Sequence, residues 1–413
     1  MSKAYRLVLH GFVSLVILIS GVHLQAQSGI YDRVGIIPKH GTFGSLPEEN
    51  IDLFTGNVTL RYRDVYLPGP NGLDVEIWRV YNSKILGDWQ SGEPKIQAYH
   101  QSWVGIGWTM HMGMVHDYNS DTPVIEFPDG RLETAYTDRL APGKYMTSDF
   151  LRYDKGPLPV IPPKLYFHNG VCWTFGAART ITRADGTSDA VRLVTRIENS
   201  FGQHIDVTYN ASSPTISKIT DGFGRVITFS SAGTPRRLTQ ISYKYTATQN
   251  RIVTYTVGAF ANGYSKLISV NPPCLEPVTF EYNDGVLGHY ELKKITTSYG
   301  GVLEYLYGDH AFYFGSTQLN SRVVSQKKIT FSAGEQPSVW IFTYPSYAGA
   351  ASGTVSVQGP VYNTAVTYNA YDPDSPWKLG TINGFQYEDG SFAEARDWTY
   401  QEISSDHWTL LGT

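Results

Sequence analysis

Three stretches of the chain follow one template. Val194 to Tyr209 reads VTRIENSFGQHIDVTY, Ile216 to Ser231 reads ISKITDGFGRVITFSS, and Leu292 to Tyr307 reads LKKITTSYGGVLEYLY. Each has an aliphatic residue, two spacers, Ile, three spacers, an aromatic residue, Gly and two spacers, followed by alternating apolar positions. Alternation on both sides of an aromatic-Gly break is the pattern of strand, turn, strand. Ile197, Ile219 and Ile241 lie 22 residues apart, and the unit at Leu238 to Ile241 keeps the register but returns late, through Ile252 to Tyr255. A hairpin with one apolar face cannot bury that face alone, so a hairpin that recurs has to stack on its neighbours. The inner face is expected to carry Ile197, Ile205, Val207 and Tyr209, the outer face Thr, Lys, Arg and Asp. Gly224 is expected to supply a positive φ at its turn, so that Gly224→Val damages the fold.

The rest of the chain agrees with a β protein. Gly numbers 40 and Tyr 29, a composition of turns and pleated surfaces. Asp129-Gly130 and Asn169-Gly170 sit between short alternating runs, as in two-residue hairpin turns. No stretch after residue 28 sustains helical spacing with start and stop signals. A net charge of −4 gives no electrostatic footprint of a nucleic-acid binder. Lys3 and Arg6, the apolar run Leu7 to Ile19 and the small or polar residues Gln25 to Ser28 read as a secretory signal over 1–26. No later stretch is apolar and long enough to span a membrane as a helix. The expected organisation is a β-rich region at 27–155, a Pro-rich linker and hairpin at 156–190, and the hairpin array at 191–413. Cys172 and Cys274 leave two readings open, one disulfide or two free thiols.

Residues 51–83 contain Asp52-Leu53-Phe54-Thr55-Gly56-Asn57, Leu67-Pro68-Gly69, Gly72-Leu73 and Tyr81-Asn82-Ser83, followed later by Gly105-Ile106-Gly107-Trp108. These blocks, with Ile219-Thr220-Asp221 and Gly224-Arg225 in a repeat unit, resemble the N-terminal region of RHS/YD-repeat proteins. The resemblance covers roughly residues 40 to 345. It implies an all-β fold of irregular stacked hairpins forming an extended curved sheet or partial shell, in an exported or cell-surface protein without catalysis or cofactor of its own. It further implies an enclosed or tethered C-terminal effector domain as partner, this chain being either the first part of a longer protein or a short member of the family. Cell-surface glycans are the alternative partner, for an adhesive or carbohydrate-binding module. An extracellular glycoside hydrolase is the third reading.

Candidate chemistry is sparse. His111, His116 and Asp117, with His100 nearby, are ligand types for a metal but match no spacing with a defined geometry. Glu126, Asp129 and Glu133 straddle one hairpin, and a glycosidase needs two carboxyl groups roughly 5–10 Å apart. No Gly-x-Ser-x-Gly elbow occurs, and Gly105-Ile106-Gly107 lacks the third Gly of a dinucleotide loop. Exposed Tyr and Trp suit sugar faces, but in β proteins they more often pack across strands. The expectation is therefore no catalytic, cofactor-binding or metal-binding residue.

Overall fold

The computed structural model describes residues 31–411 except 32–33, 45, 88–94, 97–102, 138–140, 142, 157–160, 183–187, 212, 247, 262, 284–288, 333, 389–392 and 405–406. The signal-like start, Trp89, His100 and the Asp389-Gly390 turn lie outside the described residues. Among the described residues the helical elements are 3-10 turns alone, at Pro38–His40, Pro70–Gly72 and Pro376–Lys378.

The first sheet comes from the block that carries the resemblance. It contains β1 (Glu49–Asp52), β2 (Asn57–Leu67) and β3 (Val75–Asn82). After the short pair β4 (Leu86–Gly87) and β5 (Lys95–Ile96) it adds β6 (Trp108–Thr109), in the order β1-β2-β3-β6. Asn57, Asn82 and Ser83 lock the β2–β3 pair. The Asn57 amide donates to Asn82 Oδ1 at 3.2 Å, and Asn57 Oδ1 accepts from the Ser83 hydroxyl at 3.1 Å.

The second sheet has 23 strands. It opens with β7 (Met114–His116), β8 (Val124–Glu126), β9 (Leu132–Thr137), β10 (Lys144–Thr147), β11 (Arg152–Asp154), β12 (Lys164–Tyr166), β13 (Cys172–Thr182) and β14 (Ser188–Glu198). Each pairs with the next, antiparallel. One edge of β14 holds β13, and its other edge is shared. Arg192 and Leu193 pair with Val115 and Met114 of β7, which closes a ring from β7 to β14. Arg196 to Glu198 pair instead with β15 (His204–Tyr209), and there the sheet leaves the ring.

The departing sheet continues through β16 (Ile216–Thr220), β17 (Val226–Ala232), β18 (Arg237–Lys244), β19 (Asn250–Ala259) and β20 (Ser265–Asn271). It goes on through β21 (Val278–Tyr282), β22 (Leu292–Thr296), β23 (Val302–Phe314), β24 (Thr317–Thr330) and β25 (Ser338–Thr343). It ends with β26 (Ser352–Gln358), β27 (Asn363–Asn369), β28 (Ile382–Glu388) and β29 (Ala393–Asp397). Every pairing is antiparallel and between sequence neighbours, so the array is one meander. A separate hairpin, β30 (Thr399–Ser404) with β31 (His407–Leu411), follows.

The hairpin template is therefore real. Ile197, Ile205, Val207 and Tyr209 are all buried, as are Ile219, Ile241 and Ile295. Apolar side chains of β14–β27 and of the first sheet join one hydrophobic cluster that runs from Tyr31 to Leu379. The meander therefore curves around the N-terminal sheet rather than around an empty space.

The turns differ from expectation in one respect. Asp221 N–H donates to Arg225 O at 3.0 Å while Gly224 N–H donates to Asp221 O at 2.9 Å. Three residues, not two, lie between the bonded ends, and only the third has positive φ. The same pair of bonds closes Phe127–Arg131, Phe167–Val171, Asn199–Gln203 and Thr297–Gly301. Asp129 and Asn169 are thus not left-handed residues; the Gly after each is. Gly224 has φ +75° and a Cβ there would meet nothing within 4 Å, so its substitution costs backbone strain and no clash. Gly224→Val should lower unfolding free energy by about 1–2 kcal/mol, read from the urea midpoint, with the protein still folded.

β11 and β12, which flank the Pro-rich stretch, pair directly through Arg152 with Tyr166, so both of its flanks belong to the ring. Cys172 and Cys274 are not bonded to each other; one is half-buried and the other exposed.

Candidate functional site: the seam between inner sheet and meander

Three of the residues singled out in the sequence, His111, His116 and Glu126, gather into one cluster, which brings together groups drawn from two separate readings. His111 Nε2 lies 3.0 Å from Glu126 Oε1, and His116 Nε2 lies 2.7 Å from Glu126 Oε2. All three are buried. Gly113 N–H donates to His111 Nδ1 at 3.0 Å, so Nε2 carries the hydrogen that His111 gives to Glu126. Burial opposes the charge on Glu126, but the His111 and His116 partners outweigh it and hold the carboxyl far below the usual range. The cluster grips both ends of β7, the strand that closes the ring.

Asp117 turns away, exposed, at φ +48°. Among the described residues no group of three or more His, Cys, Asp or Glu side chains is arranged to hold a metal ion. The acidic pair does not converge either. Glu126 sits opposite Leu132, whereas Glu133 sits opposite Ile125, so the pleat sends the two carboxyl groups to opposite faces. Glu133 is held by Ser148 Oγ at 2.9 Å and Arg131 at 3.3 Å, and burial, foremost, raises its pKa. Asp129 accepts from Arg131 N–H inside its own turn.

Glu126→Gln leaves one imidazole N–H facing an amide donor, which should cost about 1–3 kcal/mol at neutral pH. A carboxyl whose folded pKa is depressed stabilises above its unfolded value and loses that contribution as pH falls. The difference from the parent protein should therefore shrink as pH drops below about 4, measured by urea unfolding across pH.

The larger polar assembly lies where the first sheet meets the meander. It was not legible in the sequence. Its members follow the meander strand by strand. Leu238 N–H donates to Trp103 O at 2.8 Å and Ile106 N–H to Ser265 O at 2.8 Å. Trp108 Nε1 donates to Tyr282 Oη at 2.8 Å, and Leu292 N–H donates to Tyr81 Oη at 2.7 Å. Gly105 comes so close that a Cβ on it would lie 2.6 Å from Leu267 N. Farther along, Tyr305 Oη donates to Glu49 at 2.5 Å, and Glu49 also pairs with Lys327; Glu49 and Lys327 are each fully enclosed. Lys84 Nζ donates to Ser321 Oγ at 2.7 Å and to Arg322 O at 2.5 Å. Val324 N–H donates to Gly56 O at 3.1 Å. Lastly, Tyr368 Oη donates to His40 O at 2.9 Å.

Local geometry explains how the inner residues reach out. The register of β2 and β3 shifts between Arg63 and Val65, so Asp64 stands in a β-bulge. Its carboxylate takes Arg79 at 3.0 and 3.2 Å and Tyr255 Oη at 2.7 Å. Burial pulls the Arg79 pKa down, and Asp64 more than restores it. The guanidinium also lies 4.7 Å from the Trp108 ring and 5.3 Å from that of Phe280. In the Asp52 to Asn57 turn, Asp52 Oδ1 caps Phe54 and Thr55 N–H while Oδ2 meets His40 at 2.7 Å. Burial disfavours charged Asp52; His40 and the two N–H groups prevail and depress its pKa. Of the motif residues, Gly56, Tyr81, Gly105, Ile106 and Trp108 reach the meander directly.

One cavity of about 580 Å³ opens beside the seam, lined by Arg61, Asp64, Trp78 and Arg79 of the inner sheet and by Val253 and Leu275 of the meander. Two of its arginines are paired, Arg63 with Glu76 at 2.6 Å and Arg79 with Asp64 at 3.0 Å. The arrangement joins the inner sheet to the meander.

Residues 48–134 match a family model described as a domain of unknown function, DUF6531. That span includes the inner sheet and the first strands of the ring. No curated protein matches the chain. Among solved structures, the Photorhabdus luminescens Tc holotoxin pore is similar at 10% identity and a TM-score of 0.28, over 84% of this chain and 20% of that one. The TcdB2-TccC3 crystal structure is similar at 13% identity and a TM-score of 0.25, over 92% of this chain and 20% of that one. The chain thus spans about a fifth of the length of these two. The N-terminal domain of effector protein SpvB from Salmonella typhimurium strain LT2 aligns over 75% of this chain and all of its own, at 14% identity and a TM-score of 0.19. Superpositions this loose fix no residue-to-residue correspondence.

Proposed function

We propose that this chain is the scaffold of an exported, RHS-type, toxin-associated protein: a stretch of curved wall sealed from within by its own N-terminal sheet, and not itself a catalyst. The observation that carries this reading is the seam. Charged and polar residues that would equip a catalytic cleft elsewhere are spent on fastening β1, β2, β3 and β6 to β18–β27. A meander of neighbouring hairpins can be extended by more hairpins, which suits a wall built to continue around a tethered effector domain.

The test is mass spectrometry on the native polypeptide, captured from the producing cells and their medium with an antibody against residues 31–411. The reading predicts an exported polypeptide in which this region continues into further hairpins and an effector domain that resists protease until the wall unfolds. A mature exported species without an effector, binding glycans on an array through exposed aromatics, would replace it with the adhesive reading.

A further inference from the structure

In a meander all turns leading from an even to an odd strand fall on one edge of the sheet, and the others fall on the opposite edge. From β14 onward the two edges differ. The seven described turns on the first edge each present one large exposed apolar side chain. Phe201, Phe223, Tyr245, Tyr299 and Phe331 are the aromatic ones, 48–85% exposed, and Leu275 and Val361 occupy the remaining two. On the opposite edge from β15 to β28 no large hydrophobic residue is exposed among the described residues. Chance scatter of surface apolar residues does not sort by edge.

Three of the aromatic tips are held by neighbours of their own. In the turns at 199–203 and 221–225, Asn199 and Asp221 accept the N–H of Phe201 and Phe223, fixing the apex with the ring outward. Arg225 lies 5.2 Å from the Phe223 ring and Arg251 lies 4.0 Å from that of Tyr245. Apart from the paired Asp221 and Arg225, the seven turns hold only Glu276 and Glu335 as charged residues.

Successive tips are two strands apart, roughly 9.5 Å, with polar turn residues between them. That spacing makes no continuous apolar patch of the kind a folded protein partner covers. Rings standing singly, with a guanidinium beside two of them, suit a surface whose own groups part around each tip. A phospholipid interface does this, accepting aromatic rings at headgroup depth beside phosphates. Beyond the paired Asp221 and Arg225 the turns carry Glu276 and Glu335, a slight negative charge that fits a zwitterionic surface rather than an anionic polymer. We infer that this turn edge is a membrane-docking edge that seats its aromatic tips in the headgroup layer of a phospholipid bilayer.

The test is flotation of the full chain with phosphatidylcholine vesicles, comparing the parent protein with the triple variant Phe201→Ser, Phe223→Ser, Tyr299→Ser. The tips pack against little, so the variant should keep its circular dichroism spectrum and thermal midpoint. If it does not, Tyr299→Ser alone, at the most exposed tip, serves instead, with a smaller loss expected. The expected result is vesicle binding by the parent and a loss of at least about tenfold in partition for the triple variant. The inference is overturned if the parent does not float, if the variant floats equally, or if binding needs anionic lipid and vanishes with salt. It is also overturned if the same substitutions abolish self-association or glycan binding in the absence of vesicles while flotation is unaffected.

Discussion

Lys327→Met is expected to destabilise the protein by about 3–5 kcal/mol, because it takes the ammonium away from the enclosed Glu49 carboxylate, which also accepts from Tyr305. The methionine keeps much of the stem volume and its contact with Trp340, whose ring lies 4.9 Å from Lys327 Nζ. The loss should therefore be electrostatic and not a cavity effect. Burial pulls the Lys327 pKa down, and Glu49 counters it only in part. Pairing the substitution with Glu49→Gln should recover most of the loss, since a buried pair replaced together is often close to neutral. A double-mutant cycle by denaturant unfolding reads the coupling directly. Additive losses would mean that Glu49 and Lys327 act separately, and the seam would lose its central tie.

Trp108→Ala should cost about 3–5 kcal/mol as a truncation of a fully buried aromatic. Its ring sits 5.2 Å from both Tyr81 and Phe280, and its Nε1 donates to Tyr282 Oη. The Arg79 guanidinium also loses the face on which it rests. Trp108→Phe should recover part of the packing but not the hydrogen bond. Urea midpoints for the two variants measure both contributions, and a loss below about 1 kcal/mol for Trp108→Ala would contradict the account of this contact.

Periodicity carried the architecture. Alternation placed Ile197, Ile205, Val207 and Tyr209 on the inner face, and aromatic-Gly marked the turns, because both signals are local and each is set by a few neighbouring residues. The loop length was misjudged because Asp-Gly and Asn-Gly serve two-residue and three-residue turns alike, and the choice rests on which backbone groups close the loop. The ring was invisible, since β7 meets β14 through Val115 and Arg192, residues far apart in sequence.

The seam was equally hidden. Lys84, Glu49 and Lys327 look like ordinary surface charges until a partner on a distant strand encloses them. The histidines and Glu126 were noticed separately, as metal ligands and as an acid pair, when their common role is to hold β7. Conversely, the motif residues Asn57, Asn82 and Trp108 were recognisable as a block without revealing what they grip.

The central claim is that the inner sheet is the core on which the meander folds. It is tested most directly by producing residues 111–413, which keep the ring and the meander but lack the inner sheet, and following urea unfolding by circular dichroism. The account predicts no cooperative transition for this fragment, and recovery of one when residues 31–110 are added. A fragment that unfolds cooperatively alone, at the midpoint of the full chain, would contradict it.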